Sequence, residues 1–442
     1  MYKLLIALFL LATMLSAVEQ VVVYNSDLAL IKTELTLENL KKGTQYYPYD
    51  DITSRIDATS VILTPHSKKV QLMEQNYEYD LGDTQAILKK YLNKEIKIET
   101  AQGNFFNGKL QFFDNTTIAV EESDKSLILV SLDELQDIRL MEMPDNFYLK
   151  PTLRWKLKSA SKQSVKADLS YLTGGLNWEA TYNMVWDDEK LQVNSWVTLN
   201  NNAGKAFDEI TLKLVAGEIN RAPQNYGGHK SDYRAMVESS APPAMTESEF
   251  HDFHLYTVTN PVTINNKQSK QIQLYPTQEV KATGLYEYKT YGNEVASFIN
   301  FKNSKKEGLG LPLPAGKVMV YKADKADNEL ALIGEDRIGH TPKDEKVKLR
   351  TGVAFDLKGE TRVVKYDQLG KGRGKWKRDM EVTLKNRSKK TKTIEILHNF
   401  DSAAKISDAN YKLEKKAAGR IAFTIEVKPD EEKLITWTEK KE

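Results

Sequence analysis

Ile210-Thr211-Leu212-Lys213-Leu214-Val215-Ala216 is the stretch on which the fold class turns. Ile210, Leu212, Leu214 and Ala216 alternate with Thr211, Lys213 and Val215, and a period of two puts one set of side chains on each face of a β-strand. The alternation recurs in Leu153, Trp155 and Leu157, in Met380, Val382 and Leu384, and in Ile421, Phe423, Ile425 and Val427. Turn formers separate such runs: Gly174-Gly175, Asn201-Asn202-Ala203-Gly204 and Asn303-Ser304-Lys305-Lys306. Many half-buried strands joined by short polar turns predict an all-β chain whose antiparallel sheets pack as β-sandwiches.

Two stretches break this pattern. Asp83 and Thr84 can cap a short helix that carries Ile87, Leu88, Tyr91 and Leu92 on one face. Brief strands follow around residues 95–100, 108–113, 117–121, 127–131 and 138–140, with turns at Gly103 and Asp114-Asn115. A helix and five short strands resemble the Sm-like small β-barrel, so residues 84–142 are expected to form that module, inserted between an N-terminal β segment (18–83) and a main β-sandwich body (143–442). Sm-like barrels often bind RNA. This one carries six Lys and one Arg against ten Asp and Glu within 86–142, a balance of −3 that disfavours phosphates. The second stretch, about 222–253, contains Gly227-Gly228 and Pro242-Pro243 with no sustained period, and is expected to be a long mobile loop.

At 442 residues the chain exceeds one ordinary core, so two or three domains are expected. The hydrophobic fraction is 40% and the charged fraction 28%, as in a soluble globular protein. Sixty-three Lys and Arg against 61 Asp and Glu leave a net charge of +2, which argues against a dedicated nucleic-acid binder. At the start, Lys3 precedes an apolar run from Leu4 to Leu15, and Ser16-Ala17 offers small residues before Val18. About twelve apolar residues fall short of the roughly 20 that span a bilayer, so 1–17 is expected to be a cleaved signal peptide. The chain has no cysteine, which removes disulfides, thiolate–metal sites and lipidation of a cysteine after the signal. The expected location is therefore periplasmic or extracellular, with no membrane span and no lipid anchor.

Three phrases, taken together and in order, resemble the bacterial family called domain of unknown function 4139, which includes mucoidy-inhibitor A-like proteins. They are Ser170-Tyr171-Leu172-Thr173-Gly174-Gly175-Leu176-Asn177-Trp178-Glu179-Ala180-Thr181-Tyr182, then Leu311-Pro312-Leu313-Pro314-Ala315-Gly316, then Ile333-Gly334-Glu335-Asp336-Arg337-Ile338-Gly339-His340-Thr341-Pro342. The resemblance implies an exported, β-sandwich-rich envelope protein and no particular reaction.

Chemistry is sparse. His340 beside Glu335, Asp336 and Arg337 is the candidate acid–base cluster, with an ion-paired loop as the plainer outcome. His251 and His254, an i, i+3 pair, are candidate metal ligands if that segment is helical. Gly370, Gly372 and Gly374 superficially suggest a phosphate loop. The residues from Trp376 to Leu384 alternate as a strand, however, so Lys371, Arg373, Lys375, Lys377 and Arg378 are expected at a basic hairpin tip. No G-x-S-x-G, H-E-x-x-H or complete calcium loop occurs, and no cofactor is implied. The leading expectation is an exported, non-enzymatic binding or scaffold protein of the envelope. The alternative is a glycan or peptide hydrolase using dispersed carboxylates.

Overall fold

In a computed structural model the described residues are 19–80, 84–141, 147–217, 245–250, 253–370 and 374–442. The expected signal peptide, most of the expected loop and His251 lie outside them. The chain is 66% strand and 4% helix, which makes it all-β. No helix among the described residues is long and apolar enough to cross a membrane. Two compact units interleave in sequence. One draws its described residues from Met1–Asn177, Asn200–Leu214 and Asn260–Ser269; the other draws them from Trp178–Leu199, Val215–Thr259 and Lys270–Glu442.

In the first unit, strands Gln20–Tyr24, Leu28–Leu40, Gln163–Thr173 and Ile62–Pro65 lie side by side in that order, all antiparallel. Their inward positions bury Val21, Val23, Ile31, Leu37, Ala167 and Leu169, the face that the alternation predicts. A three-stranded sheet places Thr152–Ser159 between Gly43–Tyr49 and Val70–Glu78. Trp155 at its centre is fully buried and stacks on Tyr47 and Tyr49 at 6.5 and 5.5 Å.

Because Val70–Glu78 pairs with Thr152–Ser159, the chain between them leaves and re-enters at neighbouring strands. Its neck is tied by Asp80, whose N–H donates to the Tyr148 carbonyl at 3.1 Å and whose carboxylate accepts the Tyr148 N–H at 2.6 Å. Within this insertion, helix Thr84–Lys90 precedes strands Glu95–Thr100, Phe105–Phe113, Thr117–Glu121, Leu127–Ser131 and Leu135–Leu140. The last strand lies beside the first, so the sheet runs fifth, first, second, third, fourth. Leu88 and Tyr91 cover a core of Ile96, Ile98, Leu110, Ile118, Val120 and Val130. The Sm-like pattern predicts a closed barrel. Among the described residues no ladder joins Leu127–Ser131 to Leu135–Leu140, and the sheet is open. Gly108 lets the second strand bend over the third: a Cβ there would sit 2.1 Å from the Glu121 carbonyl oxygen.

The second unit holds most of a long sheet running through Leu330–Ile338, Gly316–Ala323, Leu176–Trp186, Lys190–Asn201, Gln268–Lys289, Glu294–Lys302, Lys346–Gln368, Trp376–Asn386 and Glu432–Lys441. Two pairings described among its residues depart from the antiparallel expectation. Leu176–Trp186 runs parallel to Gly316–Ala323, and Gln268–Lys289 runs parallel to Lys392–Asn399. Long connections permit such crossovers, and alternation along a strand carries no information about its neighbour's direction. Met380, Val382, Leu384, Ile435 and Trp437 share one core with Ile394, Ile396, Ile421, Phe423 and Ile425. The two predicted alternating runs in this region thus meet face to face.

Candidate functional site

Glu335, Asp336 and Arg337 lie on strand Leu330–Ile338, so successive side chains point to opposite faces. Glu335 pairs with Lys317 at 2.8 Å, and Arg337 pairs with Glu179 at 3.1 Å. Asp336, on the other face, accepts the backbone N–H groups of Arg337 and Arg350 at 2.8 and 2.7 Å. His340 is exposed, and its Nδ1 accepts the Ala315 N–H at 3.2 Å. The expected cluster therefore does not gather: strand alternation separates its two acids, and each already has a partner. His254 lies on strand Phe253–Val258, not on a helix, and its Nδ1 meets Glu247 at 2.9 Å across a hairpin. His251, its expected partner on a metal, lies outside the described residues. The expected hairpin near residue 370 is present in that Gln368 pairs with Trp376, while Lys371, Gly372 and Arg373 lie outside the described residues.

The structure brings the three sequence phrases together for packing. Ala180 pairs with Gly316, so closely that a Cβ on Gly316 would lie 2.1 Å from the Ala180 carbonyl oxygen. The carbonyl of Pro312 accepts the hydroxyls of Tyr256 and Tyr275 at 3.3 and 2.8 Å, and that of Pro314 accepts Tyr182 at 2.8 Å. Burial pushes these three hydroxyls well above the ordinary tyrosine value, so they stay neutral donors. Asn303, fully buried, donates to the carbonyls of Leu311 and Pro342 at 2.6 and 2.9 Å and accepts from the N–H groups of Gly310 and Leu311.

A lysine-rich groove lies elsewhere in the same unit, where Gln268–Lys289, Glu294–Lys302 and Lys346–Gln368 run side by side. Lys302 faces Lys346 directly across the ladder, Asn300 sits between Thr283 and Lys348, and Phe298 sits between Leu285 and Arg350. Like charges directly opposite one another cost stability. Lys281, Lys302 and Lys346 nevertheless have no ion-pair partner among the described residues, and they line an open cavity of about 750 Å³ with Asn300 and Lys348. Lys348 holds the buried carboxylate of Glu287 and lies 4.2 Å from the Phe298 ring centre. Arg350 and Phe298 line a second cavity of about 370 Å³. Lys346, Lys348 and Arg350 are two residues apart on one strand face, a cationic stripe of about 13 Å. Acids line these cavities too: Glu189, Glu307 and Asp188 the first, with Asp188 paired to Lys322, and Glu287 and Glu294 the second. The Asn300 side-chain oxygen is buried without a hydrogen-bond partner among the described residues.

Sequence reading misses this surface because its cations come from three strands far apart in the chain. It also misses a buried chain of polar groups. Thr290 Oγ1 lies 2.7 Å from His398 Nδ1, and His398 Nε2 lies 2.6 Å from Glu439 Oε1, which also accepts the Trp437 indole N–H at 3.0 Å. Glu439 Oε2 accepts from Arg378 Nε and Nη2 at 2.9 and 2.7 Å. Hydroxyl, imidazole and carboxylate in series resemble a nucleophile and its base. Here the imidazole is only 4% exposed, packed edge-on against Trp437 at 4.9 Å. Every oxygen of Glu439 is occupied, and the nearby cavity is lined by Lys289 and Tyr291 rather than Thr290. The network is a satisfied core element. No protein-family model matches the chain, and no curated protein matches it.

Proposed function

We propose that this chain is an exported, non-enzymatic binding protein whose cationic groove holds an acidic glycan of the envelope. The observation that carries the reading is the set of ammonium groups of Lys281, Lys302 and Lys346, unpaired among the described residues, at one open cavity, two of them directly opposed. A polyanion lying across them relieves that repulsion. Phe298 adds an apolar face beside Arg350. The likeness of the three phrases to domain of unknown function 4139 agrees with an envelope role. The inserted module is read as an Sm-like spacer or docking element, on the strength of its leading helix and the fifth strand's place beside the first.

The test is titration calorimetry with polygalacturonate, using dextran as the neutral counterpart. The acidic polymer is expected to bind, more weakly as salt rises, and dextran is not. Each charged hydrogen bond is worth about 1.5–3 kcal/mol, so Lys302→Ala/Lys346→Ala loses at least about tenfold. Equal binding of both polymers, or a double variant that binds as the parent does, refutes the reading. Export carries its own expectation: protein recovered from the periplasm or medium begins near Val18 by intact mass, and a retained Met1 contradicts it.

A further inference from the structure

We propose that Glu34, His66 and Asp168 in the first unit form a divalent metal site suited to zinc. Asp168 lies on Gln163–Thr173 directly opposite Glu34 of Leu28–Leu40, and its other neighbour is Ile62–Pro65, which delivers His66 one residue past its end. One ligand atom from each of the three lies within 4.8 Å of the others. His66 Nε2 already meets Asp168 Oδ2 at 2.8 Å. The His66 backbone N–H donates to the Lys166 carbonyl at 2.8 Å, which anchors the residue that carries the ring.

Two carboxylates placed directly across a ladder repel, and that arrangement is costly without a cation between them. Lys166 Nζ pairs with Glu34 at 2.6 Å and His66 with Asp168 at 2.8 Å, contacts that a bound cation would replace. Zinc takes imidazole nitrogen and carboxylate oxygen at about 2.0–2.2 Å, so two ligand atoms on one tetrahedral ion stand about 3.3 Å apart. The widest separation within the trio therefore closes by at most about 1.5 Å, which side-chain rotation covers. Nitrogen with two oxygens favours zinc over calcium or magnesium, which prefer oxygen alone. Glu34 and Asp168 also line an open cavity of about 530 Å³ beside Ser170 and Thr211. Three protein ligands next to a solvent-filled space leave a coordination position for water or a small ligand.

The full mature chain is titrated with zinc against a chromogenic chelator, and cobalt(II) is bound in parallel for its visible spectrum. One equivalent is expected with a tetrahedral cobalt spectrum. His66→Ala and Asp168→Asn each weaken zinc at least tenfold, while Lys166→Met, which frees Glu34, tightens it. Circular dichroism confirms that each variant is folded. The proposal is overturned if the parent binds no zinc, or if His66→Ala/Asp168→Asn binds it with unchanged affinity, since the ion then sits at other histidines.

Discussion

Replacing Glu439 by Ala is expected to destabilise the second unit by about 3 kcal/mol, measured by urea unfolding followed through tryptophan fluorescence. The carboxylate is fully buried and serves three donor residues: His398, Arg378 and Trp437. Breaking a buried ion pair by removing one partner typically costs about 3–5 kcal/mol, because the remaining charge is stranded. Arg378 keeps 29% of its side chain exposed, so it rehydrates in part and the loss falls at the lower end. Glu439 also gives the effect a pH signature. Burial raises its pKa, but hydrogen bonds from His398 and Arg378 outweigh burial and hold it below its ordinary 4.5. A folded-state pKa below the unfolded one adds stability that is present above pH 4.5 and lost as pH falls through the lower, folded value. The gap between parent and Glu439→Ala should therefore be widest near neutrality and narrow below about pH 4.5. A gap that is constant across that range assigns the loss to packing alone.

Trp178→Ala is the other large effect, about 3–5 kcal/mol on the scale of buried aromatic truncations. Trp178 is 2% exposed and meets Tyr256 edge-on at 6.2 Å, and Tyr256 meets Tyr275 at 6.3 Å. Both tyrosines bond the Pro312 carbonyl, so the cavity left by the indole undermines the anchors of the loop at 311–314 as well. Such a loss is a large share of the roughly 5–15 kcal/mol that holds a domain folded. Urea unfolding measures it. A variant that unfolds like its parent yet loses glycan binding moves Trp178 from the core to a binding site.

Much of the strand pattern is legible in the amino-acid order alone. Alternation over 153–157, 380–384 and 421–427 marks residues that are buried in the fold, because a strand's faces are set by its own backbone. The helix near residue 84 and its five strands are legible for the same reason. Val215 is not: alternation points it outward, and it is buried, since a strand can be covered on both faces. The candidate site at Glu335, Asp336 and His340 fails on a local rule. Neighbours in sequence look like a cluster until strand geometry puts them on opposite faces.

Which backbone segments become strands, where they turn and which side of most of them is apolar can be read from amino-acid order, because these depend on interactions within a few residues. Tertiary structure alone decided which strands lie side by side, including the two parallel pairings. With that it decided every constellation described above. Lys302 comes to face Lys346 across 44 residues, Glu34 to face Asp168 across 134, and His398 to reach Glu439 across 41. No local pattern encodes such pairs. Strand register is selected by the burial of whole faces at once, and charged side chains on the solvent side follow wherever that burial places them.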